Sequence, residues 1–458
     1  MTPPSSEVSR AQAWGTLLIL TAINFLNFID RYVLSSVVDS ISSEFVLSDA
    51  QAGLLAVMFM VVYTVASPFI GFLSDRSIRK YFVAGAVALW SLATVGNAYV
   101  EDYESMLAMR ALVGIGEAGY AAAAPAMISD VFSPKERGRK LAYFYLAIPM
   151  GSAIGFMLGG AISANATEWF GPGLFEFLRL DAFPAPGWRL AFWIAGIPGL
   201  IFAIAAAVMR EPVRGAMDTP ESKAEAASQL GPKQAVKRLF ASPAWRYATA
   251  GMTLLTFTMG ALAFWGPTFL IRVHGYDEGA AGTVFGGVTV VAGLIATLLG
   301  GFLGDRAYAK GAGGYLKVSG WGLVFAGPAL ALVPVFGAPI LVLILIFAAE
   351  FFMFLNTGPI NAAVVGGVPS NVRASAMALN VLFIHTFGDA ASPYLVGLLS
   401  DSTGPALVAA GIGENAAGAG LSLGIMLSAI PVFLGGVWLL RGAKYLDGLP
   451  DGMTAKDR

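Results

Sequence analysis

The chain alternates long apolar runs with short polar connections along almost its whole length. Apolar runs of about 20 residues recur, and about 20 helical residues rising about 1.5 Å each cross a hydrocarbon core of about 30 Å. Short segments of alternating apolar residues, which would predict a barrel, do not persist. The pattern predicts an all-α polytopic membrane protein. We place its twelve transmembrane helices at 13–38, 48–74, 80–98, 103–130, 136–163, 188–209, 244–272, 279–304, 315–335, 339–366, 372–400 and 416–441.

Composition agrees with this pattern. Of 458 residues, 57% are hydrophobic and 12% are charged, against about 25% charged in an ordinary soluble domain. The first apolar run is too long for a cleavable signal peptide and contains Asp30 and Arg31. The absence of cysteine excludes disulfides and thiolate metal sites. We expect no metal, no cofactor and no nucleic-acid partner.

The basic residues predict the orientation. An even number of spans puts both termini on one side of the membrane. Five of the 28 Lys and Arg residues lie within the membrane or on the other side, namely Arg31, Arg110, Arg179, Arg189 and Arg272, which leaves 23 on the side of the termini. Because cytoplasmic connections carry the excess of Lys and Arg, we expect both termini in the cytoplasm.

A repeat divides the chain into two halves. GFLSDR at 71–76 and GFLGDR at 301–306 agree in five of six positions, and each ends the second helix of its half. The polar connection at 210–243 is the expected cytoplasmic linker between an N-terminal bundle at 1–209 and a C-terminal bundle at 244–458. Two pseudo-symmetric six-helix bundles with a site between them are typical of transporters.

Two charges interrupt the fourth predicted helix. In RALVGIGEAGY, Arg110, Gly114 and Glu117 are spaced i, i+4 and i+7, so they share one helical face. Glu350 stands at the corresponding place in the second half, and a carboxylate in the middle of a membrane helix is costly. We therefore expect Glu350 to be functional as well.

A polar stripe runs along the first predicted helix. Asn24, Asn27 and Arg31 are spaced i, i+3 and i+7, with Asp30 at the flank. Facing lipid would cost about 2.5 to 3.5 kcal/mol for each central charge, so the stripe must face protein or water. Antiparallel packing would bring these charges together with those of the fourth helix. Two interpretations remain: a static salt-bridge network, or a cavity where the charges exchange partners with an anionic headgroup or a proton.

The duplicated loop predicts a conformational latch at the cytoplasmic face. A carboxylate is favourable at a helix N-terminus, and the basic residues would pair with acidic groups or lipid phosphate. A simple anchor of the positive-inside kind explains the basic residues alone, but not the duplicated Gly-x-x-x-Asp-Arg spacing. The candidate latch residues are Gly71, Asp75, Arg76, Arg79, Asp305 and Arg306.

Two motifs in the second half are further candidates. The segment FWGPTF contains Phe264, Trp265 and Pro267 near the outer end of the seventh helix. It predicts either a gate or an aromatic belt at the membrane interface. His385 and Asp389 lie one helical turn apart, which suits a proton relay or a structural hydrogen bond.

Several of these segments resemble a known family. GFLSDRSIRK at 71–80 resembles the signature loop of the major facilitator superfamily, except that Ile78 stands where that pattern usually has glycine. NFLNFIDRY at 24–32, RALVGIGEAGY and YFYLAIPMGSAIG at 143–155 resemble the spinster subfamily. FWGPTF and the second loop copy extend the resemblance into the second half.

The resemblance implies a fold, a mechanism and a substrate class. It implies alternating access by rocking of two six-helix bundles, and an anionic amphipathic substrate such as sphingosine-1-phosphate or a lysophospholipid in animal members. The charged residues of helices one and four would form the substrate and coupling site, and the first loop copy would latch against the second bundle. The compact form suggests a prokaryotic member, and we expect a monomer in the inner membrane.

The combined prediction is a secondary active transporter. Substitution of Glu117 is its most direct test. We expect proton linkage with Glu117 as the titrating group, while Arg31 and Arg110 accept the anionic headgroup. A proton-linked exporter of drugs or small metabolites is the alternative. A lipid-modifying membrane enzyme is disfavoured, because it needs a nucleophile with a base in reach; the only histidines are His274 and His385, and His385 with Asp389 lacks the spacing expected of acyl transfer.

Overall fold

The fold is a bundle of membrane-spanning helices. A computed structural model describes residues 9–217, 231–368 and 372–447. Within these ranges the regular elements are helices, and twelve are long and apolar enough to span a membrane. The predicted fold class is therefore confirmed. We number the spans α1 to α12: Arg10–Phe45, Asp49–Ser74, Arg79–Tyr99, Tyr103–Val131, Arg139–Leu178, Pro186–Val208, Pro243–His274, Glu278–Tyr308, Gly314–Val335, Pro339–Gly366, Ser375–Ala409 and Ala416–Asp447.

Several spans are longer than their apolar runs predict. α1 continues to Phe45 rather than residue 38, α5 to Leu178 rather than 163, and α11 to Ala409 rather than 400. The predicted ends are wrong there because hydropathy marks only the part inside the hydrocarbon, whereas helical structure continues into the flank. In α5 the extension is kinked at Gly171, whose φ of 68° and ψ of 169° are non-helical. The exposed Glu168 lies in such an extension of α5.

Two spans of the second half are interrupted. α10 consists of the helices Pro339–Phe354 and Thr357–Gly366. In α11, a π-helical turn occupies His385–Asp389, and Gly388 has φ −103° and ψ −106°. A side chain at Gly388 would collide with Thr256 of α7, so the turn packs directly on α7. π-turns inside α-helices are frequent at functional sites.

Glycines set the distance between α1 and α5. A Cβ atom at Gly151 would lie 2.5 Å from the carbonyl oxygen of Phe25, and one at Gly155 would lie 2.7 Å from that of Ile29. The i+4 spacing of these glycines predicts such close helix packing, and the structure confirms it. α1 is thereby fixed within the N-terminal bundle, and with it the polar stripe.

The two bundles contact each other towards one end of the molecule. We call the end where α1 begins and α12 ends the terminal side, and the opposite end the far side. In the far half of the molecule, α5 packs on α8 through Phe156 and Phe285, whose ring centroids are 5.0 Å apart. α2 packs on α11 with Gly53 against the carbonyl of Pro393. These contacts close the far side of the interface between the bundles.

Candidate functional site

A cavity of about 540 Å³ lies between the two bundles. Residues of α1, α2, α4 and α5 form one wall, and residues of α7 and α11 form the other. Its lining combines charged or amide groups with aromatic rings. The polar lining residues include Asn24, Asn27, Arg31, Arg110, His385 and Asp389, and the aromatic ones include Phe28, Tyr32, Phe59, Tyr63, Tyr120, Phe144, Tyr145 and Phe264.

Arg31 and Glu117 form an ion pair at this cavity. Nε of Arg31 on α1 lies 2.6 Å from Oε2 of Glu117 on α4, and the side chain of Glu117 is fully buried. The guanidinium also lies 5.0 Å from the ring centroids of Phe28 and Phe59 and 5.1 Å from that of Tyr63. Aromatic faces attract a cation, so the rings hold Arg31 where it borders the cavity.

The two neighbouring charges, Arg110 and Asp30, are buried and attract each other, but neither forms a contact ion pair with a described residue. Arg110 is 2% exposed and lies 5.1 Å from the Phe59 ring, yet it makes no hydrogen bond or ion pair with any described residue. Asp30 is also 2% exposed; its Oδ2 accepts a 3.4 Å hydrogen bond from Thr94, and the indole of Trp90 lies beside the same carboxylate. Buried charges that are paired only at longer range gain less than those in a contact ion pair. The cluster is therefore incompletely paired rather than a closed salt-bridge network.

The two asparagines of α1 differ in their roles. Nδ2 of Asn24 donates to the carbonyl of Phe144 at 3.0 Å and so ties α1 to α5. Asn27 is 3% exposed, and its amide lies beside the Glu117 carboxylate, which it hydrogen-bonds. Asn27 therefore belongs to the same polar wall as Arg31 and Glu117.

His385 and Asp389 occupy the opposite wall. Nδ1 of His385 lies 3.0 Å from both carboxylate oxygens of Asp389, across the π-helical turn of α11. The side chains are 19% and 24% exposed. The ring of Tyr63 stands edge-on to the imidazole of His385, so an N-terminal side chain reaches this pair.

The aromatic segment of α7 is buried. Trp265 is 0% exposed and donates through Nε1 to the carbonyl of Pro393 at 2.9 Å, which joins α7 to α11. Phe264 packs on Trp265 and lines the cavity, and Pro267 lies inside the continuous α7. The aromatic-belt alternative is wrong, because belt residues face the lipid and these do not.

Glu350 lies away from the charged cluster. It is 5% exposed, and its Oε1 accepts a 2.9 Å hydrogen bond from Thr289 of α8. Its Oε2 has no partner within the described part of the chain. It does not line the cavity. The repeat relates Glu350 to Glu117 by position in each bundle, but the two carboxylates are not brought together.

Arg79 binds within its own half of the chain. Its Nη1 lies 2.6 Å from Oδ2 of Asp130 on α4, and its Nε lies 3.3 Å from Oε1 of Glu211 after α6. Its Nη2 donates to the carbonyl of Pro212 at 2.9 Å. The expectation that Arg79 holds the second bundle is wrong for this conformation, because nearer carboxylates of α4 and the start of the linker satisfy it.

The rest of the first loop copy is less constrained. Gly71 lies within α2, and the side chain of Asp75 lies outside the described residues. Arg76 is exposed and stacks on the Phe72 ring at 3.4 Å. Ile78 has φ −73° and ψ 105°, an extended backbone that needs no glycine. The departure from the usual loop pattern is thereby accommodated.

The second loop copy is engaged within the C-terminal half. Oδ1 of Asp305 accepts a 3.0 Å hydrogen bond from the hydroxyl of Tyr315 on α9. Arg306 is exposed and borders a groove between α8, α9 and α10. Neither contact reaches the N-terminal bundle.

An ion-pair network on the far side is absent from the sequence prediction. Arg272, at the end of α7, lies 2.6 Å from Asp39 of α1 through Nε and 2.6 Å from Asp49 of α2 through Nη1. Asp49 also accepts a 2.6 Å hydrogen bond from Ser400 of α11. We call Arg272, Asp39, Asp49 and Ser400 the far-side lock, since they join the two bundles.

The start of α2 strengthens the far-side closure. The carboxylate of Asp401 on α11 accepts hydrogen bonds from the backbone N–H groups of Asp49 at 2.9 Å and Ala50 at 2.8 Å. A carboxylate is favourable at a helix N-terminus, whose N–H groups lack intrahelical partners. The one sequence signal for this region is Arg272 itself, a basic residue on the side that carries few.

Twelve spans in two six-helix bundles, with a polar cavity between them that is closed at one end, define a membrane transporter rather than an enzyme. Residues 20–393 match the family model described as Major Facilitator Superfamily. The chain is also 30% identical over 456 residues to Protein spinster homolog 1 of Mus musculus, which covers 96% of this chain and 82% of the mouse protein. The chain therefore belongs to the major facilitator superfamily and, within it, to the spinster family.

Other comparisons agree. Protein spinster of Drosophila melanogaster is 31% identical over 406 residues, or 87% of this chain, but the chain spans only 63% of the fly protein. A crystal structure of a bacterial homolog to the human lysosomal transporter spinster, in an inward-facing and unoccupied conformation, has a TM-score of 0.84 at 25% identity and covers 96% of this chain and 98% of its own. The D-xylose–proton symporter shares the fold alone, with a TM-score of 0.72 at 18% identity over 96% of this chain and 99% of its own.

Proposed function

We propose that this transporter carries an anionic amphipathic substrate, of lysolipid or sphingolipid type, in exchange for or together with protons. The observation that carries the proposal is the Arg31–Glu117 ion pair beside the buried and unpaired Arg110. The cluster contains two guanidinium groups and two carboxylates, but the Arg31–Glu117 pair is its one contact ion pair among the described residues, so the Arg110 guanidinium is left as a donor site for a further anion. Such a site suits a phosphate headgroup, which accepts several hydrogen bonds from arginine.

The shape of the cavity supports an amphipathic substrate. The charged groups lie on the α1 and α4 wall, and aromatic rings such as Tyr145 and Phe264 extend the lining towards the interface between the bundles. A headgroup at Arg31 and Arg110 would leave the apolar chain against these rings. Phe264, Trp265 and Pro267 would then line the exit path as a gate.

Proton linkage follows from competition for Arg31. An anionic headgroup and the Glu117 carboxylate cannot both bind the same face of the guanidinium. Protonation of Glu117 removes its charge and releases Arg31. Asp30 directly precedes Arg31 on α1. Removing one partner of a buried ion pair costs about 3 to 5 kcal/mol, and conformations of switching proteins differ by only a few kcal/mol. Exchange of partners is therefore sufficient to bias the two bundles.

The hydrogen-bonded pair His385–Asp389 would be a second element of a proton path on the other wall, and Glu350 a third within the C-terminal bundle. The far-side lock and the loop residues Gly71, Asp75, Arg76, Arg79, Asp305 and Arg306 would alternate in closing the two ends. With cytoplasmic termini in an inner membrane, the present arrangement would face the cytoplasm. A monomer contains the complete cavity.

Uptake of a labelled lysophospholipid into proteoliposomes under an imposed pH gradient tests this proposal. We expect Arg110→Ala to lose substrate uptake and Glu117→Gln to lose its dependence on the gradient. Glu168→Gln, an exposed carboxylate on α5, is the matched control and should behave like the wild type. Wild-type rates with an unchanged pH profile in both cavity variants would contradict the proposal.

The alternative substrate class is a drug-like or small metabolite molecule. The cavity volume of about 540 Å³ favours it, because small-molecule pockets measure about 300 to 1,000 Å³. Thermal unfolding in detergent separates the two classes, since a ligand that binds the folded state raises Tm. A rise with lysophospholipids and none with hydrophilic solutes supports the lipid substrate; the reverse supports the alternative.

A further inference from the structure

A second concave site lies on the outside of the C-terminal bundle. It is a groove of about 400 Å³ between α8, α9 and α10 on the terminal side, and it shares no lining residue with the central cavity. Three cations border it: Arg306 and Lys310 near the end of α8, and Lys317 near the start of α9. We call it the α8–α10 groove.

Two of the three cations have no counter-charge. Lys317 forms an ion pair with Asp447 at the end of α12. Arg306 and Lys310 are exposed, and neither forms an ion pair within the described ranges. The adjacent Asp305 is exposed and accepts its hydrogen bond from Tyr315.

The inner part of the groove is lined by apolar and aromatic side chains. Lys317, Trp321 and Phe325 follow each other at i+4 on α9, so the two rings lie about 6 and 12 Å deeper than the ammonium group. Trp321 and Phe325 are stacked with centroids 5.8 Å apart, and Phe325 lies 5.5 Å from Phe352 of α10. About half of the surface of Trp321 and of Phe325 is exposed, at 53% and 51%.

We propose that the α8–α10 groove binds an anionic phospholipid of the leaflet on the terminal side, with its phosphate at Arg306 and Lys310 and an acyl chain along Trp321 and Phe325. The cations lie at the helix ends, at the level of lipid headgroups, and the aromatic rings lie deeper, at the level of the acyl chains. The groove therefore presents cations and apolar rings in the same order along the membrane normal as the headgroup and acyl chain of a lipid. Basic pockets between membrane helices bind anionic headgroups. A soluble anion has no apolar part that would contact the aromatic rings.

Trp321 provides a direct probe of occupancy. The full chain is reconstituted in phosphatidylcholine nanodiscs that contain a minor fraction of either brominated phosphatidylglycerol or brominated phosphatidylcholine, and tryptophan quenching is measured. We expect stronger quenching by the anionic lipid. The additional quenching by brominated phosphatidylglycerol should disappear in Trp321→Phe. This variant keeps an aromatic ring in the groove, so the loss would assign the signal to Trp321.

The cations are tested in the same assay. Arg306→Gln and Lys310→Gln should each lower the preference for phosphatidylglycerol about fivefold, since each cation near the surface contributes about 1 kcal/mol. The matched control is Arg246→Gln with Lys233→Gln, which removes two exposed cations of the terminal side outside the groove and should preserve the preference.

Four results would overturn the inference. The first three are equal quenching by the two lipids, an unchanged preference when Arg306→Gln and Lys310→Gln are combined, and an equal loss in the control variant, which would show only a general charge effect. The fourth is displacement of the brominated lipid by inorganic phosphate, which would show that the cations bind a soluble anion instead. None of these readouts involves transport, so they are independent of the substrate proposal.

Discussion

The ring of Tyr63 stands edge-on to the imidazole of His385, with ring centroids 6.0 Å apart, and the same ring lies 5.1 Å from the guanidinium of Arg31. One side chain of α2 thus contacts the charged wall of the N-terminal bundle and the polar pair of the C-terminal bundle. A displacement of Arg31 would therefore change the contact of Tyr63 with His385 at the interface between the bundles.

Tyr63→Leu should weaken transport more than Tyr63→Phe. Phenylalanine keeps the ring that contacts Arg31 and His385, whereas leucine removes a cation–π contact of about 0.5 to 2 kcal/mol. We expect uptake close to wild type for Tyr63→Phe and a loss of about threefold to tenfold for Tyr63→Leu. Equal losses in both variants would assign the role to the hydroxyl group rather than the ring.

Substrate binding should strengthen as the pH falls. The neutral form of Glu117 releases Arg31 for the headgroup, so binding to the wild type should be stronger at low pH. Glu117→Gln mimics that neutral form and should bind equally well at all pH values, which calorimetric titration across a pH series would measure. Substrate counterflow should persist in this variant while accumulation driven by a gradient is lost. A retained pH dependence of binding would place the titrating group elsewhere.

Breaking the far-side lock should open the far side of the cavity. Because the chain contains no cysteine, a single cysteine at Ser35, which lines the cavity, reports access by an impermeant thiol reagent applied from the far side. Arg272→Gln removes the centre of the lock and should raise the labelling rate at least about tenfold, since breaking such a pair costs about 3 to 5 kcal/mol.

Arg179→Gln is the control for that experiment. Arg179 is an exposed basic residue of the far side that makes no ion pair within the described residues. Labelling should stay at the wild-type rate. A low rate in Arg272→Gln as well would mean that the glycine contacts between the bundles, rather than the ion pairs, hold the far side closed.

Gly151→Ala should destabilise the N-terminal bundle. The added Cβ would lie 2.5 Å from the Phe25 carbonyl oxygen, and overpacking costs about 1 to 3 kcal/mol. Gly15→Ala, where no atom lies within 4 Å of the added Cβ, should be neutral or raise Tm, because alanine is the better helix former. Thermal unfolding in detergent compares them; a similar fall in Tm for both would contradict the packing argument.

The fold was predictable because lipid imposes a simple rule on sequence. Each span must be apolar over about 20 residues, so the twelve helices are visible one by one. Because a charge in lipid is costly, the charged residues within predicted spans were identifiable as candidate site residues, namely Arg31, Arg110 and Glu117. Their individual pairing was not predictable, since it depends on the rotation of α1 against α4, which is set by packing.

The far-side lock was not predictable for a related reason. Asp39, Asp49 and Arg272 lie near helix ends, where charged residues are common and carry no cost that would mark them. Only the approach of α7 to α1 and α2 makes them partners. The binding of Arg79 by Asp130 and Glu211 is similar: the loop pattern indicates a basic residue that needs carboxylates, but not which ones.

The π-helical turn of α11 fixes the phase between two parts of one helix. Such a turn accommodates one extra residue, and one residue of an α-helix corresponds to a rotation of about 100°. The turn therefore sets the angle at which His385 faces the cavity relative to Ser400 and Asp401, which face α2. If the turn relaxed to a regular α-helix, one of these two faces would rotate away from its partner. A change of screw angle at this kinked turn would therefore couple the cavity to the far-side lock.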